Sequence, residues 1–184
     1  MIYPIVIYGS PVLRKVAKEI DQDYPHLKEF IADMWETMYH SDGIGLASPQ
    51  VGKSIRLFVI DGTPMEEDDP TLKDFKKVFI NPQITERIEE DILYSEGCLS
   101  IPLIREEVMR PAKIRIEYYD ENFNFHDEWF EGVAARIIQH EYDHLEGILF
   151  TDKVAPIKKR LLKNKLQAIS KGKFNVDYKF KLAK

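Results

Sequence analysis

Hydrophobic residues recur every three or four positions in three parts of the chain, which is the spacing of amphipathic helices. The first part is DYPHLKEFIADMWETMYHS, residues 23–41. The second is VAARIIQHEYDHLEG, residues 133–147, where Gly147 is expected to end the helix as its C-terminal cap. The third is IKKRLLKNKLQAIS, residues 157–170, which follows Pro156. The pattern therefore predicts an N-terminal helix, a helix around residue 140 and a C-terminal helix.

Short apolar or alternating runs between these helices predict β-strands. IRLFVID (55–61) and KKVFINP (76–82) read as two strands, and the acidic segment 62–75 between them reads as a surface insertion. Residues 84–102 predict further extended structure. AKIRIEYYD (112–120) and FNFHDEWFEG (123–132) predict an antiparallel pair around the turn DENF. Segment 43–52 is expected to be a loop, because it contains glycines and a proline. The predicted fold class is α+β.

Composition sets wide limits on the class of protein. A chain of 184 residues fits one domain, and 44% hydrophobic with 31% charged residues is typical of a globular protein. No apolar run is long enough to span a membrane, and the N-terminus has no basic leader, so we expect a cytoplasmic protein. Cys98 is the only cysteine, which excludes an internal disulfide.

Charge is unevenly distributed along the chain. Residues 156–184 carry ten Lys or Arg and one acid, which gives +9, so the rest of the chain carries −14 of the total of −5. A basic tail on an acidic body indicates a contact with an anionic partner. The alternative is a solvated helix face followed by a frayed end.

The segment QHEYDHLEG, residues 139–147, contains an HExxH pattern. Residues i and i+4 lie on one face of a helix, so His140 and His144 can bind the same metal ion. Glu141 would flank that ion and act on water as a general base. The alternative is that both histidines are ordinary residues of the helix, because a pattern this short also arises by chance.

The HExxH pattern leaves the third ligand open. A metzincin has a third histidine where this chain has Phe150, and a thermolysin-like site needs a later glutamate, but no Glu follows Glu146. Cys98 lies next to Gly97 and would complete a Cys-His-His site with an open fourth position, as in catalytic sites. The other candidate ligands are Asp152, Asp177, His26, His40 and His126.

Three segments together resemble the motifs of the peptide deformylases, in the same order: GIGLASPQVG (43–52), EGCLS (96–100) and QHEYDHLEG (139–147). The first motif usually has a second Ala where this chain has Ser48, a small residue that we expect to be tolerated. The resemblance implies a hydrolase that removes the formyl group from the N-terminal formylmethionine of newly made proteins and releases formate.

The resemblance also implies a role for each matching residue. The metal ligands would be Cys98, His140 and His144. Glu141 would be the general acid and base, while the Gln50 side-chain amide and the Leu99 N–H would donate to the formyl oxygen. Gly45 would lie beside the substrate backbone. The methionine pocket would be formed by Ile44, Val133 and Ile137, although each of these fits the core equally well. Glu96 and Arg110 would pair and brace the strand of Cys98.

The resemblance further implies a fold, a metal and partners. Antiparallel sheets would pack around a central HExxH helix, with the N-terminal and C-terminal helices beside them. Residues 1–155 would form the catalytic metallohydrolase domain, and 156–184 the basic helix and tail of the same single domain. One divalent metal per chain is expected, Fe²⁺ in the cell, and Zn²⁺, Ni²⁺ or Co²⁺ would also suit these ligands. The expected partners are formylmethionyl peptides and nascent chains, with a ribosome contact through the tail as a further hypothesis. No membrane and no sequence-specific nucleic acid is expected.

Two other classes of function stay open at this point. A different HExxH hydrolase would cleave internal peptide bonds, and a metal-binding or ribosome-interacting protein without enzymatic activity would release no formate.

Overall fold

The computed structural model describes residues 1–184 and confirms the predicted mixture of helices and antiparallel strands. Its three α-helices are α1 (Leu27–His40), α2 (Gly132–Leu145) and α3 (Pro156–Ser170). Gly147, with a φ of 74°, follows α2 in the left-handed conformation. The N–H of Ile148 then donates to the carbonyl of Asp143 at 2.9 Å, which closes the helix end as predicted. None of the helices has the length and apolar composition needed to cross a bilayer.

Five strands form one antiparallel sheet in the order β2-β3-β4-β5-β6. Their bounds are β2 Gly45–Ala47, β3 Leu57–Asp61, β4 Lys76–Cys98, β5 Ile101–Tyr119 and β6 Phe125–Glu131. β4 and β5 form a long hairpin whose tight turn contains Leu99 and Ser100. The pairing register shifts between Gly97 and Cys98, so the end of β4 is irregular where it meets this turn.

Both faces of β3 are buried, which explains its continuous apolar run. Leu57 and Val59 belong to a core cluster that also contains the apolar face of α1. Phe58 and Ile60 belong to a second cluster, which contains the apolar face of α2. Because successive side chains of a strand point to opposite faces, α1 and α2 pack on opposite sides of the sheet. Helix α2 also contacts β2, β5 and β6.

Two segments between helices and strands differ from the expectation. Segment 43–52 is not simply a loop, because Gly45–Ala47 pairs with β3 and Ser48–Val51 forms a 3₁₀ turn. The insertion 62–75 is anchored to the body, since Leu72 and Phe75 are buried in the second core cluster. Tertiary burial therefore overrides the local preference for a loop at Gly45–Ala47. The insertion stays irregular and mostly exposed, as predicted, and only Leu72 and Phe75 anchor it.

The C-terminal tail does not fray. A short strand β7 (Phe180–Lys181) pairs in parallel with β1 (Ile5–Val6) at the N-terminus. Leu162 and Ile169 of α3 are buried in the first core cluster. Leu161 of the same helix is 68% exposed and lies beside the exposed Ile157.

Candidate metal centre and active site

The three motif segments meet around one cavity of about 610 Å³. Its walls come from β2 and the turn after it, from the end of β4 with the following turn, and from α2. Ten residues singled out in the sequence line it: Ile44, Gly45, Gln50, Glu96, Cys98, Leu99, Val133, Ile137, His140 and Glu141. His144 lies behind this surface and is almost fully buried, at 1% exposure.

Cys98, His140 and His144 form a compact set of potential metal ligands. Their ligand atoms all lie within 4.8 Å of one another, and Cys98 Sγ is 3.4 Å from His144 Nε2. Around a tetrahedral metal with bonds of about 2.0 Å to nitrogen and 2.3 Å to sulfur, such ligand atoms are about 3.5 Å apart. The three residues therefore fit one metal ion. Asp152, by contrast, forms a salt bridge with Arg14, and it is not part of this cluster.

Glu96 orients the ring of His140. His140 Nδ1 donates to Glu96 Oε1 at 2.8 Å, so Nε2 is the ring nitrogen left to bind a metal. Burial by itself would lower the pKa of His140, but hydrogen bonds to Cys98 and Glu96 raise it to about 10. A metal ion that binds this imidazole must therefore displace a proton. Burial holds the pKa of His144 well below its usual value, which favours the neutral form that ligates metals.

Glu96 belongs to a buried network of ion pairs. Arg110 pairs with Glu96 through two hydrogen bonds of 2.7 and 2.9 Å, which confirms the predicted pair. Arg136 donates to the same carboxylate at 2.7 Å, and Arg110 also reaches Asp143 at 2.7 Å. Although burial opposes ionisation of Glu96, its hydrogen bonds to His140 and Arg110 lower its pKa. The carboxylate therefore stays ionised, and the network ties α2 to both strands of the long hairpin.

Glu141 is buried at 4% exposure, and its Oε2 has no hydrogen-bond partner. Burial raises the pKa of this carboxyl group to about 7. Gly45 makes room for the side chain, because a Cβ added at Gly45 would lie 2.6 Å from Glu141 Oε1. A buried carboxylate without partners is costly for stability, which is typical of a residue kept for chemistry.

The amide of Gln50 has a fixed orientation. The Ala47 N–H donates to Gln50 Oε1 at 2.9 Å, so the NH₂ group points the other way, to Cys98 Sγ at 3.5 Å and Ser100 Oγ at 3.2 Å. The side chain thus presents a donor beside the three potential metal ligands. Ser48 is fully buried, and its hydroxyl donates to the Leu57 carbonyl at 2.9 Å, so the departure from the motif leaves no unsatisfied group.

Residues 2–160 match the family described as polypeptide deformylases. The chain belongs to this family. It is 57% identical to the peptide deformylase of Christiangramia forsetii, over 98% of this chain and 96% of that protein. It is 54% identical to the peptide deformylase of Flavobacterium psychrophilum, over 99% of this chain and 97% of that protein. Among solved structures, the peptide deformylase of Plasmodium falciparum superposes with a TM-score of 0.82 at 37% identity, covering 91% of this chain and 95% of that one.

In this member of the deformylase family, four residues around the site were missed by the sequence analysis. Arg136 and Asp143 lie on the face of α2 that carries His140, so helical spacing could have indicated them. The roles of Ser100 and Tyr178 had no such signal, because they depend on contacts between distant segments. Tyr178 lines the cavity from the C-terminal tail, together with Val176.

Proposed function

We propose that Cys98, His140 and His144 hold one divalent metal ion and that Glu141 moves the protons in the hydrolysis catalysed by the family. As a peptide deformylase, the protein removes the formyl group from the N-terminal formylmethionine of newly synthesised proteins and releases formate. The observation that carries the assignment of residues is the set of three ligand atoms within 4.8 Å, beside a buried carboxylate in the same cavity.

The metal would supply Lewis-acid chemistry, polarising the formyl oxygen and lowering the pKa of water to about 7. The overall reaction adds water to the formyl carbon and breaks the C–N bond. Glu141 takes a proton from the water and returns it to the amine, which is a poor leaving group unless it is protonated. Its position supports this role, because Glu141 lines the cavity beside Gly45.

Two donors are proposed to stabilise the charge that develops on the formyl oxygen. Gln50 Nε2 lies 3.5 Å from Cys98 Sγ and is held by the contact of Oε1 with Ala47. The Leu99 N–H is the second donor. No group of the protein accepts a hydrogen bond from it, so it is free to bind the substrate. One donor of this kind typically contributes roughly 3–4 kcal/mol to transition-state stabilisation.

The apolar part of the cavity is proposed to bind the methionine side chain. Ile44, Val133 and Ile137 line it between the first motif and α2, and Met65 joins them from the insertion. Ile137 is also part of the second core cluster, so it would serve packing and binding together. We propose that Gly45 lies beside the substrate backbone, since it lines the cavity next to Glu141.

A formate-release assay tests the proposed function most directly. Protein loaded with Fe²⁺ or Ni²⁺ should release formate from formyl-Met-Ala-Ser, and it should not cleave an internally quenched peptide that lacks a formyl group. Cleavage of the internal bond without formate release would instead favour an endopeptidase. Metal binding with neither reaction would favour a binding protein.

We expect the ferrous form to be faster than the zinc form and to lose activity in air or peroxide. An iron-bound thiolate at an open site is exposed to oxidation. The measurement is kcat of matched preparations with each metal, followed over time with and without catalase, which should protect the ferrous form. If both metal forms have the same kcat and the ferrous form is fully stable in air, the proposal that iron is the metal is wrong.

We also propose that α3 contacts the ribosome. Its outer face combines the exposed apolar residues Ile157 and Leu161 with basic side chains. Lys158 reaches Glu106 at 3.7 Å, whereas Lys159, Arg160 and Lys163 form no salt bridge within the protein. Ribosomal RNA is a dense polyanion, so such a face should bind it independently of sequence and weaken steeply with salt. Docking near newly made chains would raise the local substrate concentration.

Changing Lys159, Arg160 and Lys163 to Glu should abolish co-sedimentation with ribosomes at low salt. Lys158 is left unchanged because it pairs with Glu106. The matched control changes three exposed lysines outside α3, Lys15, Lys28 and Lys73, to Glu and should still pellet. Both variants should keep their activity on a short formyl peptide. If wild type and the α3 variant pellet equally with ribosomes, the proposed ribosome contact is wrong.

Residues 1–155 and 156–184 are proposed to form one domain around the HExxH helix. This is supported by Leu162 and Ile169, which share the first core cluster with the body, and by the pairing of β7 with β1. The contacts of α2 with β2, β3, β5 and β6 support its central position. Because newly made chains are the substrate, we propose a cytoplasmic location.

A further inference from the structure

The C-terminal tail returns to the active site after α3. The Ile5 N–H donates to the Lys179 carbonyl at 2.9 Å, and the Ile7 N–H donates to the Lys181 carbonyl at 3.0 Å. This parallel pairing fixes the tail beside β1 and brings Tyr178 to the wall of the cavity. Tyr178 packs on the same core cluster as Cys98 and Leu99.

The turn between β4 and β5 is held by three segments distant from it in sequence. The Tyr178 hydroxyl donates to the Leu99 carbonyl at 2.8 Å, and the Tyr8 N–H donates to the Ser100 carbonyl at 2.8 Å. Gln50 Nε2 donates to Ser100 Oγ at 3.2 Å. Tyr8 lies two residues after β1 and next to Ile7, whose N–H is bonded to the tail. The tail therefore supports the turn through Tyr178 and also through the segment that β7 holds in place.

Only one pair of the strand ladder, Cys98 with Ile101, closes the turn, and the pairing next to it is irregular. The register shifts between Gly97 and Cys98, and the Leu99 N–H has no acceptor within the protein. On its other side, the Leu99 side chain packs close to Gly43, where an added Cβ would lie 3.0 Å from Leu99 Cδ1. Leu99 is therefore confined between Gly43 and Tyr178. Donors that stabilise a developing charge depend on being held in position beforehand, so small displacements reduce the rate strongly.

We propose that Tyr178 is a positioning residue for deformylation: its hydroxyl holds the Leu99 turn so that the Leu99 N–H faces the formyl oxygen. This inference rests on the proposed role of Leu99 as an oxyanion donor. It also assigns a function to the tail, which supplies one hydrogen bond to the backbone of the turn that follows a metal ligand.

Tyr178→Phe tests the proposal because it removes only the hydroxyl and keeps the ring that packs on the core. We expect kcat on formyl-Met-Ala-Ser to fall about tenfold, with KM changed less than about twofold, since the donor acts in the transition state. Metal content should stay at the wild-type value. The matched control is Tyr119→Phe, which removes a hydroxyl without a hydrogen-bond partner from a partly buried tyrosine of the same core cluster. The kcat, KM and metal content of Tyr119→Phe should equal those of wild type.

A second measurement reports on the turn without using activity. In zinc-loaded protein labelled with ¹⁵N-leucine, the amide signal of Leu99 should shift in Tyr178→Phe and stay in place in Tyr119→Phe. The proposal would be overturned if Tyr178→Phe had the same kcat as wild type and an unmoved Leu99 signal. It would also be overturned if the variant lost activity only because it lost metal. If the wild-type protein releases no formate, the proposed function fails instead, and the amide signal alone decides whether Tyr178 holds the turn.

Discussion

Replacement of Glu141 by Ala or Gln should lower kcat by roughly 10²- to 10⁴-fold, the usual contribution of a general acid and base. The metal content should stay close to one ion per chain, because Glu141 is not among the proposed ligands Cys98, His140 and His144. The measurement is formate release per metal-loaded protein, with metal content determined on the same sample. The Gln variant keeps the shape of the side chain and tests proton transfer alone.

Stability provides an independent check on the same variants. Glu141 Oε2 is buried without a partner, so removal of the carboxylate should leave Tm equal to or above that of wild type. Glu131→Ala is the matched control, because Glu131 is exposed just before α2 and does not line the cavity. It should leave kcat unchanged. Near-normal turnover by a folded, metal-loaded Glu141 variant would rule out the catalytic role.

Cys98→Ser should weaken metal binding by at least about 100-fold, more than the loss of a residue that only orients a ligand. The thiolate contributes charge as well as a bond, and a serine hydroxyl replaces neither at neutral pH. Activity without added metal should fall in parallel. Measurement of metal affinity by competition with a chelator gives the size of the effect.

The absorption spectrum of Co²⁺-loaded protein tests the same ligand without depending on activity. Cys98 is the only cysteine, so a thiolate-to-metal charge-transfer band can come from no other residue. Wild type should show this band and Cys98→Ser should lack it. A wild-type spectrum without the band would mean that the cysteine is not a ligand.

Local patterns determined most of the secondary structure. Helical periodicity predicted α1, α2 and α3, and Gly147 marked the end of α2, because a helix and its cap depend on residues within one or two turns. For the long hairpin, the run 76–82 and the segment 84–102 predicted extended structure in β4, and the alternating residues 112–120 predicted the end of β5, but no pattern predicted residues 103–111 as a strand. In segment 43–52 the local sequence favours a loop, but the buried residues Gly45–Ala47 form a strand paired with β3.

The sequence by itself determined the family and the residues proposed to bind metal and substrate, since the three motifs contain these residue types in the order found in the family. Only the tertiary structure decided how these residues meet. Cys98 reaches His144 across 46 positions of sequence, and Tyr178 reaches Leu99 across 79. Such contacts depend on the packing of α2 against the sheet and on the return of the tail to β1, and no short-range spacing encodes either. The same reason explains why Tyr178 could be recognised only in the folded chain.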